Sequence, residues 1–204
     1  IHLEDTTCGI KTGANTDKYL VSFDGKGHIY VHFFPSGALH RTFYDSKSRI
    51  QSVDIDNTNS YLASASENGS VRLWEMNRAE DEQHTNGILL TAPKPPSELQ
   101  VKFLGGFRKL MTLNSNGALH IWDTTSRTIL RGAQLEIRSL SNFSALSSSD
   151  DGAELYLGCW FQKTVHRFRT RSPIEFIAYL RMKKLTYIGS TLPYSLFREM
   201  TSYL

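Results

Sequence analysis

Apolar and polar positions along this chain alternate with a period of two in short runs separated by polar turns. The clearest runs read SYLASASENGSVRLWE at residues 60–75 and KLMTLNSNGALHIWD at residues 109–123. In the first, Leu62, Ser64 and Ser66 alternate with Ala63 and Ala65. Asn68-Gly69 then supplies residues that tolerate positive φ, and Val71 and Leu73 alternate with Arg72 and Trp74. This alternation sends successive side chains to opposite faces, so each run predicts a strand with two different faces and each pair of runs an antiparallel hairpin. An apolar segment precedes each hairpin, at 8–10, 50–55, 99–104 and 143–146. Another follows, at 38–43, 88–90, 128–130 and 174–180. The predicted class is all-β.

The hairpins repeat. A weaker copy, YLVSFDGKGHIYVH, stands at residues 19–32, and a degenerate one, ELYLGCWFQKTVHRF, at residues 154–168. With Gly27, Gly69, Gly117 and Lys163 in register, the spacings are 42, 48 and 46 residues. A period in this range marks stacked supersecondary units, each unable to bury its faces alone. Four short strands with turns between them make one propeller blade, so the expectation is four blades near 5–43, 50–90, 99–131 and 143–180. Residues 181–204 are a tail or the start of a further blade.

These units resemble the WD40 repeat family. Residues 50–75 follow its pattern almost throughout, and the third unit carries the Trp122-Asp123 dipeptide. The chain departs from the pattern in several places. No unit has the Gly-His pair often placed before the first strand, His32 and Phe168 stand where Trp is usual, and Leu157 replaces the small hydroxyl residue supplied elsewhere by Ser22, Ser64 and Thr112. The resemblance implies structural roles for Ser64, Trp74, Thr112, Trp122 and Asp123, with hydroxyl–indole hydrogen bonds Ser64–Trp74 and Thr112–Trp122 inside their blades. With the His missing, the polar network is expected to be incomplete. The family's usual seven blades imply that four form part of a larger propeller, and Ile at the first position is read as the mark of a fragment.

Composition narrows the function. The net charge of +3 falls short of the clustered basic face of a nucleic-acid binder. No apolar run approaches the length that spans a bilayer, so no membrane role is expected. Cys8 and Cys159 form neither a metal-ligand spacing nor a disulfide framework and read as reduced, buried thiols of an intracellular protein, cytoplasmic or nuclear. Asn68-Gly-Ser and Asn142-Phe-Ser match a glycosylation pattern too short to weigh against this.

The motifs of catalysis are missing: there is no Gly-x-x-x-x-Gly-Lys loop, Gly-x-Ser-x-Gly elbow, His-Glu-x-x-His or Cys-x-x-Cys. Tyr30, Arg72, His120 and His166 each fall two residues before the aromatic of their unit, which marks them as packing residues rather than metal ligands. Asp150-Asp151-Gly152 sits where a tight turn favours Asp and Gly. No catalytic residue, metal, cofactor or small-molecule substrate is expected. Two stretches leave the repeat: residues 79–98, acidic and then proline-rich, read as an exposed connector ahead of a partner-binding insertion, and residues 167–184, where six Arg and Lys crowd an apolar run, read equally as strands with solvated basic edges or as an anionic contact surface.

What remains is surface recognition, and the partners expected are other proteins. The turns between second and third strands share one rim with the connections into each first strand, and the resemblance makes that rim the partner-binding face. By repeat position its residues are Arg49, Gln51, Glu67, Ser115, Trp160 and Phe161, the two aromatics being the sharpest candidates for an interface. The reading is a non-catalytic scaffold within a larger protein or complex. Three alternatives stay open. A regulatory propeller of a signalling NTPase would need an upstream phosphate-binding loop, and a subunit of an RNA-processing or chromatin assembly would need a basic groove. A propeller enzyme would need polar residues converging on the innermost strands, where the sequence offers mainly small apolar ones.

Overall fold

The computed structural model describes residues 7–12, 18–45, 48–77, 87–90, 99–104, 108–114, 118–136, 143–148, 154–159 and 164–169. They form strands and turns without a helix. Blade one is β1 (Thr7–Thr12), β2 (Tyr19–Asp24), β3 (His28–Phe33) and β4 (Leu39–Tyr44). Blade two is β5 (Ile50–Ile55), β6 (Tyr61–Ser66), β7 (Val71–Glu75) and the three-residue β8 (Ile88–Leu90). Blade three is β9 (Leu99–Leu104), β10 (Lys109–Asn114), β11 (Ala118–Asp123) and β12 (Thr128–Glu136). The fourth sheet holds β13 (Phe143–Ser148), β14 (Glu154–Cys159) and β15 (Thr164–Arg169). Each sheet is an antiparallel meander with strands in chain order. The strand expected at 174–180 and the tail at 181–204 lie outside the described residues, as does Asp150-Asp151-Gly152.

The sheets stack as blades do. The strand β5 lies against β1 and β2, β9 against β5 and β6, and β13 against β9 and β10, so each first strand packs on the first strands of its predecessor. Register decides which side chains meet. Leu62 pairs with Trp74 and turns toward blade one, where Tyr19, Val21, Ile29, Val31 and Phe43 wait in the same buried cluster. One residue along, Ala63 pairs with Leu73 and Ala65 with Val71. These face blade three and bury Val101, Phe103, Leu110 and Trp122. Period two is therefore satisfied by two cores, not by a core and a solvent face. The two faces of β6 do differ, and both are covered, since every residue from Leu62 to Ser66 is buried. A large side chain moved from water into such a core contributes roughly 1.5–3 kcal/mol.

Close approach fixes one glycine. A Cβ on Gly87 would lie 2.6 Å from Trp74 ring atoms, so only a residue without a side chain lets the chain entering β8 cross the indole face. A second departure from expectation lies in blade three. The strand β12 runs on to Glu136 rather than ending at Leu130, with the pairing to β11 shifted between His120 and Trp122. Such an irregularity lets a long strand follow a twisted neighbour.

Asp123, at the end of β11, closes the following turn. Its carboxylate pairs with the Lys109 ammonium and accepts the backbone N–H groups of Thr125 at 2.8 Å and Ser126 at 3.0 Å. The Lys109 hydrogen bond, aided by those amides, holds its pKa down at about 2 against an ordinary 3.8. A depressed carboxylate pKa gives stability that is present above the unfolded value and lost as pH falls toward the folded one. The full shift corresponds to about 2 kcal/mol, which solvent screening trims to about 1. Urea unfolding midpoints followed from pH 6 to about pH 2 are therefore expected to fall less in Asp123→Asn than in the wild type, the difference opening between about pH 4 and pH 2. Parallel curves in the two proteins would show that Asp123 contributes nothing.

Candidate partner-binding rim

Two kinds of turn meet at one end of the blades: the β2–β3 and β6–β7 turns, and the β4–β5 connection from blade one into blade two. Backbone hydrogen bonds lock them together. The Asp45 N–H donates to the Gly27 carbonyl at 2.8 Å and the Glu67 N–H to the Arg49 carbonyl at 2.9 Å. The Asn68 N–H donates to Ser48 Oγ at 3.2 Å, and the Ser70 N–H to Asn68 Oδ1 at 2.9 Å. Gly69 takes φ 84° and Gly27 φ 93°, as turns this tight require. Arg49 and Glu67, expected on one rim by repeat position, stand on adjoining turns with exposed side chains. Gln51 is half-buried in β5, while Ser115, Trp160 and Phe161 lie outside the described residues.

A buried charge supports this rim from below. The Asp45 carboxylate is inaccessible to solvent and accepts hydrogen bonds from Ser66 Oγ at 2.5 Å, Ser64 Oγ at 3.4 Å and Arg72 Nε at 2.5 Å. Ser64 Oγ in turn accepts the Trp74 indole N–H at 3.0 Å, and Arg72 Nη1 donates to the Gly87 carbonyl at 3.0 Å. The polar network of this blade runs through Asp45, which lies in the connection that enters it and accepts from both serines. Arg72 answers its charge, and a buried carboxylate persists only when so paired. In blade three the Trp122 indole N–H donates to Thr112 Oγ1 at 3.1 Å, the second bond that the resemblance implied. His120, beside Thr112 in the register, is buried, and burial pushes its pKa below 6.5. Among the described residues of blade one, Ser22 Oγ and His32 Nε2 are buried without a hydrogen-bond partner.

The rim has members that repeat positions did not reveal. Asp24 accepts the backbone N–H groups of Lys26 and His28, both at 2.8 Å, and contacts His28 Nδ1 at 3.0 Å. Burial would raise the Asp24 pKa, but the His28 and Lys26 amides and the His28 ring outweigh it and hold it below the usual 3.8. The His28 ring, fixed in this way, lies 4.9 Å from the Tyr44 ring and 6.0 Å from that of Tyr30. Tyr44 is exposed and directly precedes Asp45. Only a pairing map could have joined His28 to Tyr44, since they are cross-strand neighbours in β3 and β4. No group of three or more His, Cys, Asp or Glu side chains is placed to hold a metal ion among the described residues.

Stacked antiparallel four-stranded blades with a hydrogen-bonded turn rim define a repeat protein of the β-propeller kind. The family model described as WD domain, G-beta repeat (WD40), matches residues 37–75, and a repeat of that family marks an interaction module in general. That stretch contains β4 of blade one and β5, β6 and β7 of blade two, so the matched unit straddles two blades and holds Asp45 at its joint. No curated protein matches the chain.

Proposed function

We propose that the chain is a protein–protein interaction scaffold whose partner face is the rim of blades one and two, presenting His28, Tyr44, Arg49 and Glu67. The observation that carries this reading is the fixing of Arg49 to Glu67 across the two turns. Their backbones are hydrogen-bonded to each other while both side chains remain in solvent, above a buried Asp45 bonded to Ser66 and Arg72. A recognition surface on turns ordered in advance avoids much of the entropy cost of binding. The repeat extends the same reading to Ser115, Trp160 and Phe161.

Proximity crosslinking of the protein in cell extract tests it, comparing wild type with an Arg49→Glu, Glu67→Lys variant. Both side chains are exposed, so the unfolding midpoint is expected to stay within about 0.5 kcal/mol of wild type. A reproducible partner set should lose its members at least about tenfold, the effect of disturbing one interface hot spot. Retention of the same partners by the folded variant would rule this rim out.

A further inference from the structure

Three asparagines in the chain precede glycine, at positions 68, 86 and 116, and of these Asn68 lies among the described residues. It stands in the β6–β7 turn directly after Glu67, with its side chain exposed. An asparagine so placed can close a ring on its own backbone. The nitrogen of the next residue attacks the side-chain amide carbon, and a glycine there has no Cβ to obstruct the approach.

The turn itself selects this pair. The Ser66 N–H donates to the Ser70 carbonyl at 3.0 Å and the Gly69 N–H to the Ser66 carbonyl at 2.9 Å, which closes the chain over Glu67 and Asn68. Gly69 takes φ 84° to do so, a conformation that suits glycine. Asn68 Oδ1 accepts the Ser70 N–H at 2.9 Å, the local bond that favours Asn in turns.

The same bonds restrain the ring closure. The attacking atom is the Gly69 nitrogen, whose hydrogen is given to Ser66, and the Asn68 amide oxygen is held by the Ser70 N–H. A further bond, from the Asn68 N–H to Ser48 Oγ at 3.2 Å, ties the turn to the β4–β5 connection. The reaction therefore runs from turns that have opened. Local opening of an exposed turn costs less than global unfolding, so a folded protein samples it.

We propose that Asn68 is a site of spontaneous deamidation gated by opening of the β6–β7 turn. A bond forms between the Gly69 nitrogen and Asn68 Cγ as the Cγ–Nδ2 bond breaks, and ammonia leaves with the proton from Gly69. Water then opens the resulting succinimide. Breaking the new bond gives aspartate, and breaking the original peptide bond gives isoaspartate, which adds a methylene to the backbone. One water is consumed and one ammonia released, with no change of oxidation state. Either product puts a second carboxylate beside Glu67, and charge-changing modifications act on a surface through the same rules as its native charges. The consequence for partners rests on the rim reading above, whereas the modification does not.

Peptide mapping by tandem mass spectrometry tests the inference on the full purified chain, aged at neutral pH in isotopically labelled water so that each conversion carries heavy oxygen from solvent. Position 68 is expected to take up label ahead of Asn57 and Asn59, which precede Thr58 and Ser60 and share its tryptic peptide. Conversion in the folded protein should run at least about tenfold slower than in urea, the factor set by turn opening. Ser48→Ala should speed it about fivefold in buffer, the weight of one hydrogen bond, and leave the rate in urea unchanged. An unlabelled position 68, or equal rates in buffer and urea, would overturn the proposal, as would a Ser48→Ala protein that ages like the wild type in buffer. Asn68→Asp in the crosslinking assay reads the consequence separately. Full retention of partners by that variant, in a chain that does deamidate at Asn68, would count against the rim reading and leave the modification standing.

Discussion

Asp54→Ala is expected to cost about 3–5 kcal/mol of stability, the cost of leaving one half of a buried ion pair alone. Asp54 sits in β5 of blade two, and both its oxygens serve blade three: Oδ1 takes Lys102 Nζ at 3.1 Å and Oδ2 takes the Phe103 backbone N–H at 2.8 Å. Both partners are buried, Asp54 at 1% exposed and Lys102 at 7%, so water cannot replace what the mutation removes. The Val101 N–H to Ser52 Oγ, at 3.4 Å, is a weaker second tie across the same joint. Urea unfolding followed by circular dichroism measures the loss. Asp54→Ala with Lys102→Met should regain much of it, because the stranded ammonium is then gone and a side chain of similar volume fills its path. Recovery should stop short of wild type, since the Phe103 N–H stays unpaired at a cost of about 1–3 kcal/mol. A single mutant within about 1 kcal/mol of wild type would show that the pair is not holding the blades together.

Trp74→Ala should cost a similar amount, about 3–5 kcal/mol, for a different reason. The indole fills the joint between blades one and two, with the Phe43 ring 5.1 Å away on one side and Gly87 pressed against the other. Truncation opens a cavity that strands paired on both sides cannot collapse into. Trp74→Phe separates packing from hydrogen bonding. It keeps most of the buried ring and loses the N–H to Ser64, so about 1 kcal/mol is expected. Equal losses in the two variants would mean that the hydrogen bond, not the packing, dominates this joint. Either large loss is a substantial part of the 5–15 kcal/mol that usually separates folded from unfolded protein. Both sit at joints between blades, because a single blade has no core of its own.

The joint at Trp74 also bears on the proposed rim. Arg49 and Glu67 reach solvent from turns whose inner ends are Asp45 and Ser66, and Asp45 is one hydrogen bond from Ser64 and two from Trp74. A change at Trp74 therefore disturbs the support of the rim, and loss of partners in Trp74→Ala would not identify a contact residue. The exposed pair Arg49 and Glu67 would, since neither belongs to the buried network.

Much of the architecture was legible in the residues alone. Period-two alternation named the strands, the 42- to 48-residue spacing named the unit, and the Ser64–Trp74 and Thr112–Trp122 bonds followed from the resemblance at matching positions. These features are local or periodic, and a strand's pattern is written into consecutive side chains. The network under the rim was not legible. Asp45 lies in a connector with no pattern, and its significance comes from Ser64, Ser66 and Arg72, 19 to 27 residues away. The Asp54–Lys102 tie spans 48 residues between strands that never share a sheet.

Sequence by itself determined the strand pattern, the turn residues and the repeating unit, because alternation and positive-φ glycines act over a few residues. Only the tertiary structure decided which blade faces each side of a strand, which charges are buried together, and which turns are bonded to one another. Those outcomes depend on the packing of one sheet against the next, and no single repeat contains the neighbour that sets them.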